Sequence, residues 1–346
     1  MSGTLLITGG TGTFGKTFVN HAIKNNLYEK IIIFSRDEFK QHHMMSKIRL
    51  VHGQKFIDKH VRFFIGDVRD KERLKTAMRG VDFVIHAAAL KHVPFCEYNP
   101  DEALKTNVDG TKNVCDASIE AGVRKVIVLS TDKAVEPINF YGSSKMLAEK
   151  YAVYSNNYSK NVSQSSTEKA TKISCVRYGN IVGSRGSIVE MFYKMKNKSC
   201  FNVTDENMTR FWMSIEKAVE MVEWSLKNCL GGEIIIPKIK ASSIIDIAKM
   251  VDSKKEINII GIRPGEKIHE QLFNRREHNK AYDIGLYYAI LPESNEWDSS
   301  IEEYYASKFK TSERISYYSN QEDLIMNKKE LEFLIKSEVE RLVENK

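Results

Sequence analysis

The segment with the richest chemistry reads Ser130-Thr-Asp-Lys-Ala-Val-Glu-Pro-Ile-Asn-Phe-Tyr141-Gly-Ser-Ser-Lys145. Tyr141 and Lys145 are four residues apart, so they share one face of a helix. A cation beside a phenol favours the phenolate and lowers a pKa that starts near about 10. The pair therefore predicts a general base, with Thr131 placed to hydrogen-bond the hydroxyl group that reacts.

A glycine-rich segment near the N-terminus is suited to binding a pyrophosphate. It reads Thr8-Gly-Gly-Thr-Gly-Thr-Phe-Gly15 and lies between a predicted strand and a predicted helix. Glycines allow the backbone to turn tightly and approach the phosphates, whose charge is met by amide groups at the helix N-terminus. The residues predicted to bind a dinucleotide here are Gly9, Thr11, Gly12, Thr13, Phe14 and Gly15.

The end of the second predicted strand distinguishes the two nicotinamide dinucleotides. A carboxylate there usually binds the ribose 2′-hydroxyl of NAD, whereas an arginine favours the 2′-phosphate of NADP. The chain reads Ser35-Arg36-Asp37, with Lys40 one helical turn later. We predict NADP, with Ser35 and Arg36 on the phosphate, while Asp37 leaves NAD as the alternative. The other predicted cofactor contacts are Lys40, Asp67, Val68, Ala87, Ala88, Ala89, Lys91, Asn107, Tyr141, Lys145 and Tyr178.

Alternating strands and helices must position these residues. Short apolar runs predict buried parallel strands at Leu5–Thr8, Ile31–Ser35, Val61–Ile65, Phe83–Ala87, Val126–Ser130 and Ile173–Arg177. Helix-length segments lie between them, at about 15–26, 38–51, 71–79, 101–121 and 141–158. This alternation predicts an α/β fold with a Rossmann-like, doubly wound parallel sheet.

The regular alternation ends near residue 178, which predicts a second, smaller unit. We assign residues 1–178 to an NADP-binding Rossmann domain, with 212–237 returning to it. Residues 179–211 and 238–346 are assigned to a smaller, C-terminal substrate-binding domain.

The composition excludes several other classes of protein. The 52 lysines and arginines exceed the 45 acidic residues by 52 − 45 = 7, a mild excess that suits an anionic ligand without requiring nucleic acid. The five cysteines form no C-x-x-C pair, which argues against a disulfide framework or a zinc site, so we predict no metal. No apolar run approaches the roughly 20 residues of a membrane span, and no signal peptide is recognisable, so we expect a cytoplasmic protein.

The chain resembles the extended short-chain dehydrogenase/reductases that modify sugar nucleotides. The matching residues are Thr8–Gly15, His86-Ala-Ala-Ala-Leu-Lys91, Asn107, Thr131 and the Tyr141/Lys145 pair. Relatives that retain the C5 configuration carry Asp-Glu where this chain has Asp132-Lys133. From residue 3 to about 275, the chain is instead similar to the inverting UDP-N-acetylglucosamine 4,6-dehydratases that start pseudaminic acid biosynthesis. The segments that carry this similarity are Ser130–Val135, Val176–Ser187, Met208–Phe211 and Arg263–Glu270.

This resemblance implies a reaction in which NADP is recycled within each turnover. Tyr141 would take the C4 hydroxyl proton while hydride passes to NADP. Lys133, neutral when it acts, would remove the C5 proton that the 4-ketone acidifies, and Asp132 would protonate the leaving C6 hydroxyl. A lysine base requires a depressed pKa, which partial burial or a nearby cation such as Lys91 is expected to supply.

The resemblance also implies a UDP-N-acetylglucosamine site and a homo-oligomer. Arginines suit the diphosphate because they bind it in a bidentate manner. Lys91 and Asn180 are expected to face the sugar or its phosphate, and Glu266 the uridine or ribose hydroxyls. The full predicted set is Lys91, Asn180, Arg185, Thr204, Arg210, Arg263 and Glu266.

Three other functions stay open on the sequence. One is a related dehydratase/epimerase of the L-fucosamine pathway, although such relatives often have Met where Tyr141 stands. A 4-epimerase is less favoured, because it has no use for Asp132 and Lys133 as acid and base. The third is a non-catalytic, NADP-sensing protein on the same fold, a class that typically loses the Tyr/Lys pair.

Overall fold

A ten-stranded sheet forms the centre of the computed structural model, which describes residues 2–163, 170–182, 184, 186–195, 197–293 and 299–344. The strands are β1 (Thr4–Thr8), β2 (Lys30–Ser35), β3 (Val61–Ile65), β4 (Phe83–His86), β5 (Lys125–Thr131), β6 (Lys172–Tyr178), β7 (Asn180–Ile181), β8 (Cys200–Val203), β9 (Thr209–Met213), β10 (Ile234–Pro237), β11 (Ala241–Ser243), β12 (Glu256–Ile259), β13 (Gln271–Phe273), β14 (Ala281–Asp283), β15 (Tyr287–Ile290), β16 (Lys310–Thr311) and β17 (Tyr317–Tyr318).

Helices cover both faces of the sheet and build the smaller part of the molecule. They are α1 (Thr13–Lys24), α2 (Glu38–His52), α3 (Gln54–His60), α4 (Lys71–Ala77), α5 (Val93–Tyr98), α6 (Pro100–Ala103), α7 (Gly110–Glu120), α8 (Phe140–Ser163), α9 (Ile188–Lys194), α10 (Ile215–Asn228), α11 (Ile244–Val251), α12 (Arg275–His278), α13 (Ser299–Lys308) and α14 (Lys328–Glu344). A π-helical segment, Leu104–Asp109, joins α6 to α7, and 3-10 turns lie at Asp132–Ala134 and Glu322–Leu324.

The large sheet has the strand order β16-β14-β15-β10-β6-β5-β4-β1-β2-β3. The strands from β10 to β3 in this order pair in parallel, and the order reverses beside β1, which pairs with β2 on one side and β4 on the other. Ligands of such sheets bind at the carboxyl ends of the strands where the order reverses. The predicted Rossmann-like, doubly wound sheet is therefore confirmed.

Two apolar layers hold the helices against the sheet. Leu5, Ile7 and Ile33 contribute to the layer that packs on α1 and α10, whereas Leu6 and Val84 belong to the layer on the opposite face. Strands β1 and β4 are buried along almost their whole length, as expected for a parallel sheet covered on both sides. A third cluster, which includes Phe192, Phe201 and Trp212, forms the core of the smaller part.

The C-terminal third is divided differently from the prediction. Strand β10 extends the parallel sheet, but β14, β15 and β16 then join the same sheet in antiparallel pairs. Residues 281–283, 287–290 and 310–311 thus contribute to the large sheet, although the sequence assigned them to the smaller domain. The strands are only two to four residues long, so their sequence carries little periodic signal. Among the described helices, none combines the length and apolar character that crossing a bilayer requires.

Candidate active site

The glycine-rich loop packs directly onto the end of β4. A side chain on Gly15 would place its Cβ 2.5 Å from Gly10 Cα, so only glycine permits the close contact between α1 and the loop. Gly9 has φ +65°, and a Cβ there would lie 2.8 Å from the Ala87 carbonyl. Helix α1 begins after Gly12, which has no side-chain cap, as in helix ends that bind phosphate. Phe14 is buried in the core, so its side chain serves packing.

The three polar residues at the end of β2, Ser35, Arg36 and Asp37, have different surroundings. Ser35 is buried, and its Oγ accepts a hydrogen bond from Gln41 at 3.0 Å. Asp37 caps α2, because its Oδ1 accepts from the Lys40 amide at 2.9 Å. Arg36 is 53% exposed, and its Nη1 lies 3.5 Å from Asp67 Oδ2. Arg36 thus presents an exposed guanidinium at this strand end, while the carboxylate of the next residue, Asp37, is engaged in capping α2.

Asp67 and Val68 follow β3 and have different surroundings. Partial burial opposes the ionisation of Asp67, but hydrogen bonds from Arg69 and the charge of Arg36 lower its pKa. Val68 is buried, and its side chain would obstruct any residue larger than glycine at Gly110. The two residues follow the carboxyl end of β3, where the sequence predicts contacts with the cofactor.

Polar side chains fix the segment that follows β4. His86 is completely buried, with Nδ1 2.7 Å from Thr8 Oγ1 and Nε2 3.0 Å from Thr111 Oγ1. Burial, assisted by Lys145, lowers the pKa of His86 to about 3, so the ring is neutral. Asn107 lies in the π-helical segment and bonds both backbone groups of Leu90, at 2.8 and 2.9 Å. These contacts hold Ala87–Lys91 against the loop.

Tyr141 lies in the first turn of α8 beside the end of β5. Burial raises the pKa of Tyr141 to about 12, and the charge of Lys133 and a hydrogen bond with Thr131 oppose the shift only in part. The predicted lowering by Lys145 is therefore wrong for this structure. Lys145 Nζ donates instead to the Leu129 carbonyl at 2.7 Å, and burial lowers the pKa of Lys145 to about 8.

Asp132 and Lys133 lie in the 3-10 turn after β5. Lys133 Nζ contacts Asp132 Oδ1 at 3.1 Å and Glu270 Oε1 at 3.0 Å, and both carboxylates are buried. Burial alone would lower the pKa of Lys133, but the two carboxylates raise it above the usual lysine value. The predicted depressed pKa is thus wrong in this arrangement. The pKa of Asp132 is also raised, because burial and the charge of Glu270 outweigh the charge of Lys133.

The residues predicted to bind substrate differ in how accessible they are. Lys91 and Arg263 are exposed, Asn180 is half-buried, and Arg263 Nε lies 3.5 Å from Glu266 Oε1. Thr204 is buried and donates to Met208 Sδ at 3.3 Å. Arg185 lies outside the described residues.

Arg210 is buried and holds the polypeptide backbone. Its guanidinium donates to the carbonyls of Thr209, Lys267 and Ile268 at 2.7, 2.9 and 2.9 Å. These bonds occupy most of its donors, so Arg210 shapes the 263–270 segment and presents little to solvent. Tyr178 is half-buried at the end of β6, and burial next to Tyr141 raises its pKa.

Sequence reasoning missed two residues that assemble this site. Glu270 ends the Arg263–Glu270 segment and reaches Lys133, far from it along the chain. Asn139 links α8 to the same segment, because its Nδ2 donates to the Gly265 carbonyl at 2.7 Å while its Oδ1 accepts from the Gly142 amide at 2.7 Å. The last acidic residue of the segment was the available signal for Glu270. Across the described ranges, no group of three or more His, Cys, Asp or Glu side chains is placed to hold a metal ion.

A Rossmann-like sheet with a Tyr/Lys pair after the fifth strand defines an extended short-chain dehydrogenase/reductase. A family described as "Polysaccharide biosynthesis protein" matches residues 5–292, and the chain belongs to this family.

Similar proteins carry two different names. The chain is 45% identical, over 94% of its length and 95% of the relative's, to "UDP-N-acetylglucosamine 4,6-dehydratase (inverting)" of Campylobacter jejuni subsp. jejuni serotype O:2. It is 40% identical, over 96% and 95%, to "UDP-glucose 4-epimerase" of Rickettsia typhi. The X-ray structure of Pen from Bacillus thuringiensis matches with a TM-score of 0.84 and 33% identity, over 97% of this chain and 98% of that one.

Proposed function

We propose that the protein is a UDP-N-acetylglucosamine 4,6-dehydratase that inverts the configuration at C5. The main observation in support is the buried Asp132–Lys133 ion pair next to Tyr141. It places an acid and a base beside the residue that starts C4 oxidation. The 45% identity to the Campylobacter dehydratase over 94% of the chain supports the same reaction. The product is a UDP-linked 4-keto-6-deoxy sugar, formed by a sugar-nucleotide lyase.

Tyr141 is the proposed base for the first step. The phenolate form of its buried side chain, hydrogen-bonded with Thr131, accepts the C4 hydroxyl proton, and Thr131 holds the reacting oxygen. Lys145 lies on the next turn of α8, where burial leaves its pKa at about 8. An amine with this pKa exchanges protons readily near neutral pH and can relay the proton that Tyr141 receives.

Lys133 and Asp132 are the proposed pair for the elimination. The 4-ketone acidifies the C5 proton, which the Lys133 amine removes. Asp132, whose pKa is raised by burial, delivers a proton to the departing C6 oxygen. After C6 is reduced, a proton from solvent reaches the opposite face of C5 and inverts that centre; it balances the proton that Tyr141 takes from the C4 hydroxyl and releases to solvent.

The crevice residues fit a nicotinamide dinucleotide, and we propose NADP. The uncapped start of α1 at the Gly9–Gly15 loop suits the pyrophosphate, and exposed Arg36 suits a 2′-phosphate. Bound there, NADP would supply the hydride acceptor for oxidation at C4 and the hydride donor for reduction at C6. Because Asp37 caps α2, NAD is the less favoured alternative.

Replacing Arg36 by alanine is expected to weaken NADP binding about 10- to 100-fold, because a charge-assisted hydrogen bond contributes about 1.5–3 kcal/mol. Binding of NAD, which has no 2′-phosphate, should change little. Titration calorimetry of nucleotide-free protein with both dinucleotides measures the difference. Arg49→Ala, an exposed arginine on α2, is the matched control. Equal losses for NADP and NAD would contradict the assignment.

Exposed cations near the site are proposed to bind the nucleotide. Arg263 is proposed to bind the UDP diphosphate, Lys91 the sugar or its phosphate, and Glu266 the uridine or ribose hydroxyls. Asn180 is proposed to face the sugar. A homo-oligomer is the proposed assembly.

A UDP-glucose 4-epimerase is the second candidate, favoured by the 40% identity to the Rickettsia typhi protein over 96% of the chain. Both reactions begin with C4 oxidation, so Tyr141 serves either. An epimerase returns hydride to C4 and leaves C5 and C6 untouched. The reaction at C5 and C6 therefore separates the two functions.

The test is proton and carbon NMR of the purified protein with UDP-N-acetylglucosamine in D2O, without added cofactor. We expect a 4-keto-6-deoxy sugar that carries deuterium at an inverted C5. A parallel sample receives UDP-glucose. Conversion of UDP-glucose to UDP-galactose, with no dehydrated product in either tube, would replace the proposal by the epimerase. A product epimerised at further carbons would indicate the L-fucosamine-type alternative, and no turnover of any UDP-hexose would indicate the NADP-sensing one.

A further inference from the structure

Lys133 lies between two buried carboxylates rather than beside one. Its Nζ is 3.1 Å from Asp132 Oδ1 and 3.0 Å from Glu270 Oε1, and Lys133 itself is 20% exposed. The outer oxygens, Asp132 Oδ2 and Glu270 Oε2, are buried with no hydrogen-bond partner in the described part of the chain. A buried charge persists only where cations or hydrogen-bond donors compensate it. One lysine cannot compensate two buried carboxylates equally, so we expect the two to differ in protonation.

The surroundings of the two carboxylates differ. Glu270 faces Arg210, whose Nε is 3.7 Å from Oε1, and Lys267 as well as Lys133. Burial opposes its ionisation, but Lys133 and Arg210 prevail and lower the pKa of Glu270. Asp132 has Lys133 as its cation and a hydrogen bond from Thr131, which do not offset burial and the repulsion of Glu270. Glu270 is therefore the carboxylate that stays ionised, and Asp132 the one that accepts a proton.

The backbone around Glu270 is fixed independently of Lys133. The Glu270 amide donates to Ser319 Oγ at 2.9 Å, and Ser319 also contacts Thr209 Oγ1 at 2.7 Å. Arg210 holds the carbonyls of Lys267 and Ile268 just before it. A carboxylate whose backbone is fixed in this way can hold the Lys133 amine in one orientation during the reaction.

We propose that Glu270 is a positioning residue for the Lys133 base: it stays ionised throughout, orients the amine and stabilises the ammonium formed when Lys133 takes the C5 proton. This inference rests on the proposed dehydratase function. Asp132, the other carboxylate, carries the mobile proton. The arrangement corresponds to the orienting carboxylate that supports a histidine base in a catalytic triad.

The protons balance over one elimination. Lys133 starts as an ammonium and passes a proton to Asp132, which gives an amine and a neutral carboxylic acid. The amine then takes the C5 proton as the C5=C6 bond forms and the C6–O bond breaks. Asp132 gives its proton to the departing oxygen, so water leaves and both groups return to their starting states. Glu270 keeps one negative charge at every stage.

The test compares Glu270→Gln with the wild-type protein in single turnovers with UDP-N-acetylglucosamine in D2O. Glutamine keeps the shape and removes the charge. We expect C4 oxidation, monitored by the absorbance of reduced nicotinamide, to proceed as in the wild-type protein. Loss of the C5 proton should slow about 100-fold, and KM, measured in steady state, should stay within about threefold of the wild-type value. The acidic limb of the pH profile should move to lower pH, because Lys133 loses an anion while Asp132, Arg210 and Lys267 remain.

A second variant and a control exclude a merely structural effect. Glu270→Asp retains the charge and should recover part of the lost rate. Glu136→Gln removes an exposed carboxylate three residues after Lys133 and should leave the rate of C5 proton loss unchanged. Loss of C4 oxidation in parallel with C5 proton loss, or a C5 rate within about threefold of wild type in Glu270→Gln, would overturn the proposal.

A substrate-independent measurement separates this inference from the proposed function. Competitive acetylation with acetic anhydride, read by peptide mass spectrometry, reports the pH midpoint at which Lys133 becomes reactive. In Glu270→Gln the midpoint should fall by at least about one pH unit relative to wild type and Glu136→Gln. An unchanged midpoint overturns the role of Glu270. A shifted midpoint in a protein that dehydrates no sugar supports the pairing and refutes only the dehydratase.

Discussion

Replacing Lys133 by methionine is expected to lower the dehydration rate by at least about 10³-fold while C4 oxidation persists. Methionine keeps an unbranched chain of similar length but cannot accept the C5 proton. The 4-ketone then forms, but no base is present to remove its C5 proton. Reduced nicotinamide should therefore accumulate on the enzyme. Stopped-flow absorbance with UDP-N-acetylglucosamine records this accumulation, and NMR in D2O records the missing deuterium at C5.

A matched lysine and a stability measurement complete this experiment. Lys150→Met alters an exposed lysine on α8 and should leave both steps intact. Loss of Lys133 leaves Asp132 and Glu270 without their shared cation, so the thermal unfolding temperature should fall and must be measured. Deuterium incorporated at C5 at the wild-type rate would contradict the role of Lys133, as would loss of C4 oxidation in a variant that remains folded.

The regular features of the fold could be predicted because they leave local signals. The apolar runs that became β1 to β6 and the glycine loop before α1 depend on neighbouring residues, and their predicted positions lie within a few residues of those observed. The predicted single helix over 101–121 is instead α6, a π-helical segment and α7. The π turn carries Asn107 toward the Leu90 backbone, a tertiary contact that helix periodicity does not encode.

Electrostatics were the least predictable part of the site. Spacing along α8 brings Tyr141 and Lys145 to one face, but it does not show that Lys145 donates to the Leu129 carbonyl. Burial, which decides the pKa of Tyr141, depends on the whole fold. Glu270 reaches Lys133 from the 263–270 segment, which Arg210 and Asn139 help to hold against β9 and α8. The charges of the neighbouring Asp132 and of Glu270, which comes from a distant segment, together reversed the expected shift in the pKa of Lys133.

The rate of C4 oxidation should rise with pH, because the reactive form of Tyr141 is the phenolate. With a pKa of about 12, the phenolate fraction at about pH 7 is roughly 10⁻⁵. The rate of C4 oxidation should therefore increase about tenfold per pH unit below the pKa that applies in the substrate complex. The positive charge of a bound oxidised nicotinamide would lower that pKa from its raised value.

Tyr141→Phe is expected to abolish C4 oxidation, with a loss of at least about 10³-fold in overall turnover. Phenylalanine keeps the ring that packs near Cys96 and Ala103, so the fold should be retained. Unlike Lys133→Met, this variant should accumulate no reduced nicotinamide, because the first proton transfer fails. Accumulation of reduced nicotinamide at the wild-type rate would show that another group removes the C4 proton.

The two variants can be separated more sharply with the 4-keto form of the substrate in D2O, which still has its C6 hydroxyl and the original configuration at C5. This compound already carries the ketone, so loss of its C5 proton needs Lys133 but not Tyr141. Tyr141→Phe should therefore exchange C5 within about threefold of the wild-type rate, whereas Lys133→Met should not exchange it. If both variants lose the exchange, Tyr141 also acts at C5. That result would contradict the assignment of C4 oxidation to Tyr141 and of the C5 step to the Asp132–Lys133–Glu270 cluster.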